Sequence, residues 1–362
     1  MGVGDGEVLG PPVRILGDRP DERAMVIVLL AEGFREEQQD DFNQACDAFA
    51  RRLQAEDWFT HRLLRIAPIA GAVINVYRLN VASIESGIDD PAECGGTGAS
   101  PRTYFNVTHC AISITTGRRA SRRVLGAENF LVWNTLTDHA PGWDFGVIIA
   151  NTRELGAIAQ PELNTAIVTL HPCWLENAMH ELGHLLFDLA DEYEYLSSCE
   201  ADDASQSRAP AGEPLFPNVT AETDPARLKW RDLVTPGVPV PTMQNEDCSR
   251  CDPRSNVLDE WDWSHIVRVL QRIWYPFLKM AARLQIFGHR PFRHLLDECY
   301  WDDIRHWLVS DPDDLKVGLF EGANFHKCAN YRPVYNCRMR DQFRPYCPVC
   351  RRAIAERLRT FG

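Results

Sequence analysis

No stretch of the 362-residue chain approaches the roughly 20 consecutive apolar residues that a bilayer-crossing helix needs. The apolar run near the start, Met25 to Ala31, is only strand-length, so no membrane span is expected. Positive charge is also scarce: 38 Lys and Arg stand against 51 Asp and Glu, a formal net charge of -13. Binding phosphate or anionic lipid needs a basic face, so nucleic acid is not an expected partner. Internal repeats and low-complexity tracts are missing too. The start, Met1-Gly-Val-Gly-Asp-Gly6, has neither the basic nor the apolar segment of a secretory leader. Retention in the cell, export by another route, or a chain given without its leader all fit that start. What remains, 45% apolar and 25% charged residues, is ordinary for a globular protein of one large domain or two average ones.

Cysteine, by contrast, is plentiful at twelve. Two pairs, Cys248/Cys251 and Cys347/Cys350, have the CxxC spacing at which thiolates can share one tetrahedral Zn²⁺. A second, structural metal site built from both pairs is one reading. Local disulfides or buried thiols are the others, favoured here because the pairs lie far apart in the chain.

Periodicity gives the frame. Ala24 to Leu30, Val73 to Val81, Phe145 to Ala150 and Thr165 to Leu170 are short, apolar and rich in branched residues, and are expected as strands. A turn at Gly33 precedes a helix over Glu36 to Gln54, with Phe42, Ala45, Phe49 and Leu53 on one face. Strands interleaved with helices predict an α/β or α+β layer. Trp174, Ala178, Leu182, Leu185 and Leu186 then mark a second amphipathic helix. Ser197 to Val219 is expected as loop. Trp261 to Leu308 has helical periodicity, and Pro345 to Thr360 suggests a short terminal helix.

The second helix carries His180-Glu181-Leu182-Gly183-His184, an HExxH motif. Residues four apart share a helical face, so both imidazoles can bind one metal. Glu181 lies beside them and can take a proton from a metal-activated water. A catalytic zinc normally takes three protein ligands plus water. Asp191 is the leading candidate for the third, with Glu192 as the nearer alternative and a glutamate between Glu200 and Glu213 as a weaker one. On an unbroken helix Asp191 would stand roughly 10 Å beyond His184 along the axis. The helix must therefore stop soon after His184, and Asp188, which tolerates the left-handed conformation, is the expected hinge. A surface helix with incidental histidines is the plainer reading of the motif.

His180 to His184, followed by Leu189-Ala-Asp-Glu-Tyr193, resembles the IgA-peptidase-type zinc metallopeptidases, a metzincin-like family of zincins. The likeness runs in order through Met25 to Phe34, Asn75 to Arg78, Ser83 to Gly87, Thr103 to Phe105, Pro217 to Thr220, Lys229-Trp230, Gly318 to Ala323, Tyr331 to Pro333, Cys337 to Arg340 and Phe343 to Cys350. It implies an α/β, α+β zincin-like fold: a mixed twisted sheet with an active-site helix over 10–187, then a smaller irregular and helical subdomain over 188–362. Residues 252–314 stand out as a helical insertion, serving as a lid, a partner surface or added core. The resemblance implies one catalytic Zn²⁺ on His180, His184 and Asp191, with Glu181 as base. It also suggests Met339 as a methionine turn beneath the metal and Tyr331 as a polarising phenol, for which core packing and a buried hydrogen-bonded tyrosine are the plainer accounts. Local disulfides among Cys328, Cys337, Cys347 and Cys350 belong to the same comparison. The expected partner is a protein or peptide substrate; the family name refers to immunoglobulin cleavage by some members, and members are often secreted. The rival expectation is a catalytically silent binding or regulatory protein on the same scaffold.

Overall fold

Branched apolar segments build the frame of the first unit. A computed structural model describes residues 5–60, 73–111, 120–140, 142–194, 208–245, 248 and 315–361. The chain divides into two units, Met1–Asp188 with Arg351–Gly362, and Leu189–Cys350. In chain order the first carries β1 (Gly6–Val8), β2 (Val13–Leu16), β3 (Met25–Glu32), α1 (Gln39–Ala55), α2 (Asp57–Thr60), β4 (Ile74–Leu79), β5 (Val81–Ser83), β6 (Thr108–His109) and β7 (Leu125–Gly126). It continues with α3 (Asn129–His139), β8 (Phe145–Ala150), β9 (Ala157–Gln160), β10 (Thr165–Thr169) and α4 (Trp174–Phe187).

Six strands form one mixed sheet in the order β2-β4-β3-β8-β10-β9. β4, β3, β8 and β10 run parallel, and β2 and β9 close the two edges antiparallel. Every residue of β3, β8 and β10 is buried, as expected of parallel strands covered on both faces. α1 buries Phe42, Ala45, Phe49 and Leu53, the face its periodicity predicts. The α/β class with a mixed sheet is therefore as expected, while the finer elements differ. The strand expected over Val73 to Val81 breaks at Asn80, whose amide donates to Gln39 Oε1 and Asn43 Oδ1. The edge strands β2 and β9 are four residues each, too short for a period to show. α3 went unmarked because its apolar residues point both ways, with Leu136 buried and Phe130 and Trp133 exposed. At Gly33, φ is +71° and a Cβ would collide with the Gly87 carbonyl, so the turn after β3 requires glycine.

The second unit has little regular structure. β11 (Phe320–Ala323) and β12 (His326–Arg332) form an antiparallel hairpin with a bulge between Glu321 and Ala323. A last helix, α5 (Pro348–Leu358), begins in this unit and carries the chain back to the first. The helical periodicity of Trp261 to Leu308, and the insertion expected over 252–314, lie outside the described residues, as does 197–207 of the expected loop.

Disulfides join Cys94 to Cys110 and Cys248 to Cys328. This corrects two expectations. Cys248 is committed to a disulfide, so the two CxxC pairs do not share one metal. Cys328 pairs across 80 residues rather than locally; on the same strand, β12, the neighbouring Lys327 carbonyl accepts from Asn245 Nδ2–H. No helix among the described residues is long and apolar enough to cross a membrane.

Candidate metal centre

α4 lies along β9 and β10, at the sheet edge, because one of its faces is apolar. Ala178, Met179, Leu182, Leu185, Leu186 and Phe187 are buried, and Phe187 meets Trp58 edge-on at 5.2 Å. Its first turn is fixed by Arg52 of α1, whose Nε and Nη2 bind the two carboxylate oxygens of Glu176 at 2.6 and 2.7 Å. Burial opposes the Arg52 charge, but the hydrogen bond and field of Glu176, joined by Glu56, more than offset it and raise its pKa.

That anchoring aims the motif. His180 Nε2 and His184 Nε2 converge to 3.2 Å, with the rings nearly perpendicular. Two nitrogens on a tetrahedral zinc at about 2.05 Å would stand roughly 3.4 Å apart, so the pair has the spacing of one cation's ligands. Glu181, between them in sequence, is largely buried.

The helix then stops where the sequence requires. Asp188 adopts φ +52° and ψ +34°, left-handed, and its N–H bonds the Gly183 carbonyl. Three residues on, His180, His184 and Asp191 each offer a ligand atom, all within 4.8 Å of one another. Asp191 is buried and its carbonyl accepts the Asn324 N–H at 2.9 Å, while Tyr193 O accepts the Phe325 N–H at 3.0 Å. Asn324 and Phe325 form the tip of the β11–β12 hairpin, both with positive φ, a backbone suited to a tight two-residue turn.

Glu192, the alternative ligand, is engaged otherwise. Its Oε1 accepts from Asn218 Nδ2 at 3.0 Å, and its Oε2 accepts the Cys337 thiol at 3.1 Å. Asn218 also grips the backbone of Ala190, accepting its N–H and donating to its carbonyl, both at 2.8 Å. Sequence reading missed this clamp; Pro217-Asn-Val-Thr220 is the only trace of it. Glu213, from the weaker candidate stretch, is occupied by Thr220, Ala221 and Lys229. Met339 is fully buried, and its carbonyl accepts the Glu192 N–H at 2.7 Å. Tyr331 is buried on β12; burial raises its hydroxyl pKa, with Gln244 and Glu321 as hydrogen-bond partners acting in opposite directions.

The family model of IgA Peptidase M64 matches residues 13–256 and 300–358. The match skips the stretch between residues 256 and 300, inside the expected insertion. A comparison with curated proteins found no match. With the family matched over most of the chain, beginning at β2 and ending at the last residue of α5, this protein belongs to the IgA peptidase M64 family of metallopeptidases and is a peptidase acting on protein substrates.

Proposed function

We propose that the chain is a zinc-dependent endopeptidase whose metal is held by His180, His184 and Asp191 and whose general base is Glu181. The observation that carries it is the convergence of His180 Nε2 and His184 Nε2 to 3.2 Å on one helix face, with the chain turning at Asp188 so that Asp191 comes within ligand distance. Two imidazoles and a carboxylate form a donor set suited to a catalytic zinc with an open position. When bound, zinc supplies a Lewis acid that polarises the scissile carbonyl and lowers the pKa of a water. Glu181 takes the proton from that water on its carboxylate and passes it to the departing amine. β9, the sheet edge beside α4, has β10 as its one partner among the described strands. Its outer edge, unpaired among the described strands, suits an extended peptide added as a further strand. Tyr331 is assigned to polarising the carbonyl, as the resemblance implies.

Glu181→Gln keeps the shape of the side chain and removes the base. The expected outcome is retained zinc with proteolysis of a peptide library reduced at least about a thousandfold; unchanged proteolysis contradicts the role. Tyr331→Phe should lower kcat about tenfold or more with little change in KM. If only thermal stability falls, Tyr331 is structural.

A further inference from the structure

Three thiols and a carboxylate meet in the interior of the second unit, and the catalytic reading uses none of them. Cys337, Cys347, Cys350 and Glu192 are fully buried, and each offers a ligand atom within 4.8 Å of the others. The Cys337 and Cys350 thiols lie 3.1 and 3.5 Å from the two Glu192 oxygens, and Cys347 Sγ lies 3.5 Å from Cys350 Sγ. On a tetrahedral zinc, sulfur ligands at about 2.3 Å stand roughly 3.8 Å apart, and a sulfur and an oxygen roughly 3.5 Å. The spacings match those edges within a few tenths of an ångström.

We propose that Glu192, Cys337, Cys347 and Cys350 form a second, structural site for a thiophilic divalent cation, zinc by preference. The supporting contacts are those of such a site. Cys347 immediately precedes α5 and Cys350 lies in its first turn, with the Cys350 N–H directed at Cys347 Sγ. Glu192 is oriented by Asn218, an outer partner of the kind that fixes a metal ligand. Buried Arg332 and neighbouring Arg340 lie within electrostatic reach of Glu192, so the excess negative charge of a three-thiolate, one-carboxylate shell has cationic neighbours. In this same chain Cys94–Cys110 and Cys248–Cys328 are disulfides while these three thiols are not. Filling the site would fasten Glu192, and with it the adjacent Asp191, to the Cys337–Met339 turn and the head of α5.

The test does not require the catalytic centre. The His180→Ala/His184→Ala chain, purified under reducing conditions and loaded with Co²⁺, should hold about one ion and show the near-ultraviolet thiolate-to-cobalt charge-transfer band. Adding Cys347→Ser should abolish the band. Absence of the band with three freely reactive thiols overturns the proposal, as does a disulfide within the trio found by peptide mapping. Should the variants fail to fold, the wild-type zinc X-ray absorption edge decides. Sulfur neighbours at about 2.3 Å are expected, and a shell of only nitrogen and oxygen overturns the site. Failure of the catalytic assignment instead would show as intact proteolysis in Glu181→Gln, so the two outcomes are separable.

Discussion

The two units solve the burial problem in opposite ways. The first packs apolar strands whose backbone groups satisfy one another: β3, β8 and β10 bury every residue and pair on both sides. The second has one short hairpin among its described strands, and its interior contains Asn218, Glu321, Lys327, Asn330, Arg332, Asn336 and Arg338. Where regular ladders are few, side chains must take over the pairing of buried N–H and C=O groups. Asn218 does this for Ala190, Lys229 for the carbonyl of Val219, Trp230 for Gly318, and Arg332 for Glu321. A regular sheet tolerates the loss of one side chain better than such an interior does. The comparison therefore predicts where substitutions hurt most.

The largest effect is expected at Asn218. Asn218→Ala leaves the Ala190 N–H and carbonyl and one Glu192 oxygen without their partner, costing about 3 kcal/mol or more. Thermal unfolding should show a drop of several degrees, together with weaker metal retention, since Ala190 and Glu192 flank Asp191. A loss no larger than that of an exposed asparagine would break the contrast between the units.

A smaller effect is expected at the polar tie of the first unit, Glu32. Its carboxylate accepts from Thr103 Oγ1 at 2.6 Å, Phe105 N–H at 2.8 Å and Val107 N–H at 2.9 Å, holding the 103–107 loop to the end of β3. Burial nevertheless raises its pKa above the ordinary 4.5, its hydrogen bonds opposing. The folded state thus holds the proton more tightly than the unfolded state. Its contribution to stability is fully present below pH 4.5 and is lost as pH rises through the raised value. Glu32→Gln should cost about 1–3 kcal/mol at acidic pH, and the difference from wild type should shrink toward neutrality in unfolding measured across pH 4–7. A difference that widens with pH would show that the hydrogen bonds outweigh burial.

The same contrast explains what could be read in advance. β3, β8, β10, α1 and α4 follow from apolar periodicity, and the HExxH face follows from residues four apart. The stop at Asp188 was legible because a straight helix could not serve Asp191, and the φ of +52° at that residue agrees. Most of the second unit was not legible, since polar residues and cysteines carry no period. Glu192 read only as a rival ligand to its neighbour, and Cys337 with Cys347 and Cys350 as local disulfides. Only folding sets Glu192 among those thiols, 145 and 158 residues away in sequence. The triplet of cysteines so close to the Met339 turn was the available signal.

The most direct test of the catalytic assignment is an anomalous difference map at the zinc edge from crystals of the wild-type protein. A peak bonded at about 2.1 Å to His180 Nε2, His184 Nε2 and an Asp191 oxygen is the predicted result. No peak between the two imidazoles, or one completed by Glu192 in place of Asp191, would contradict it.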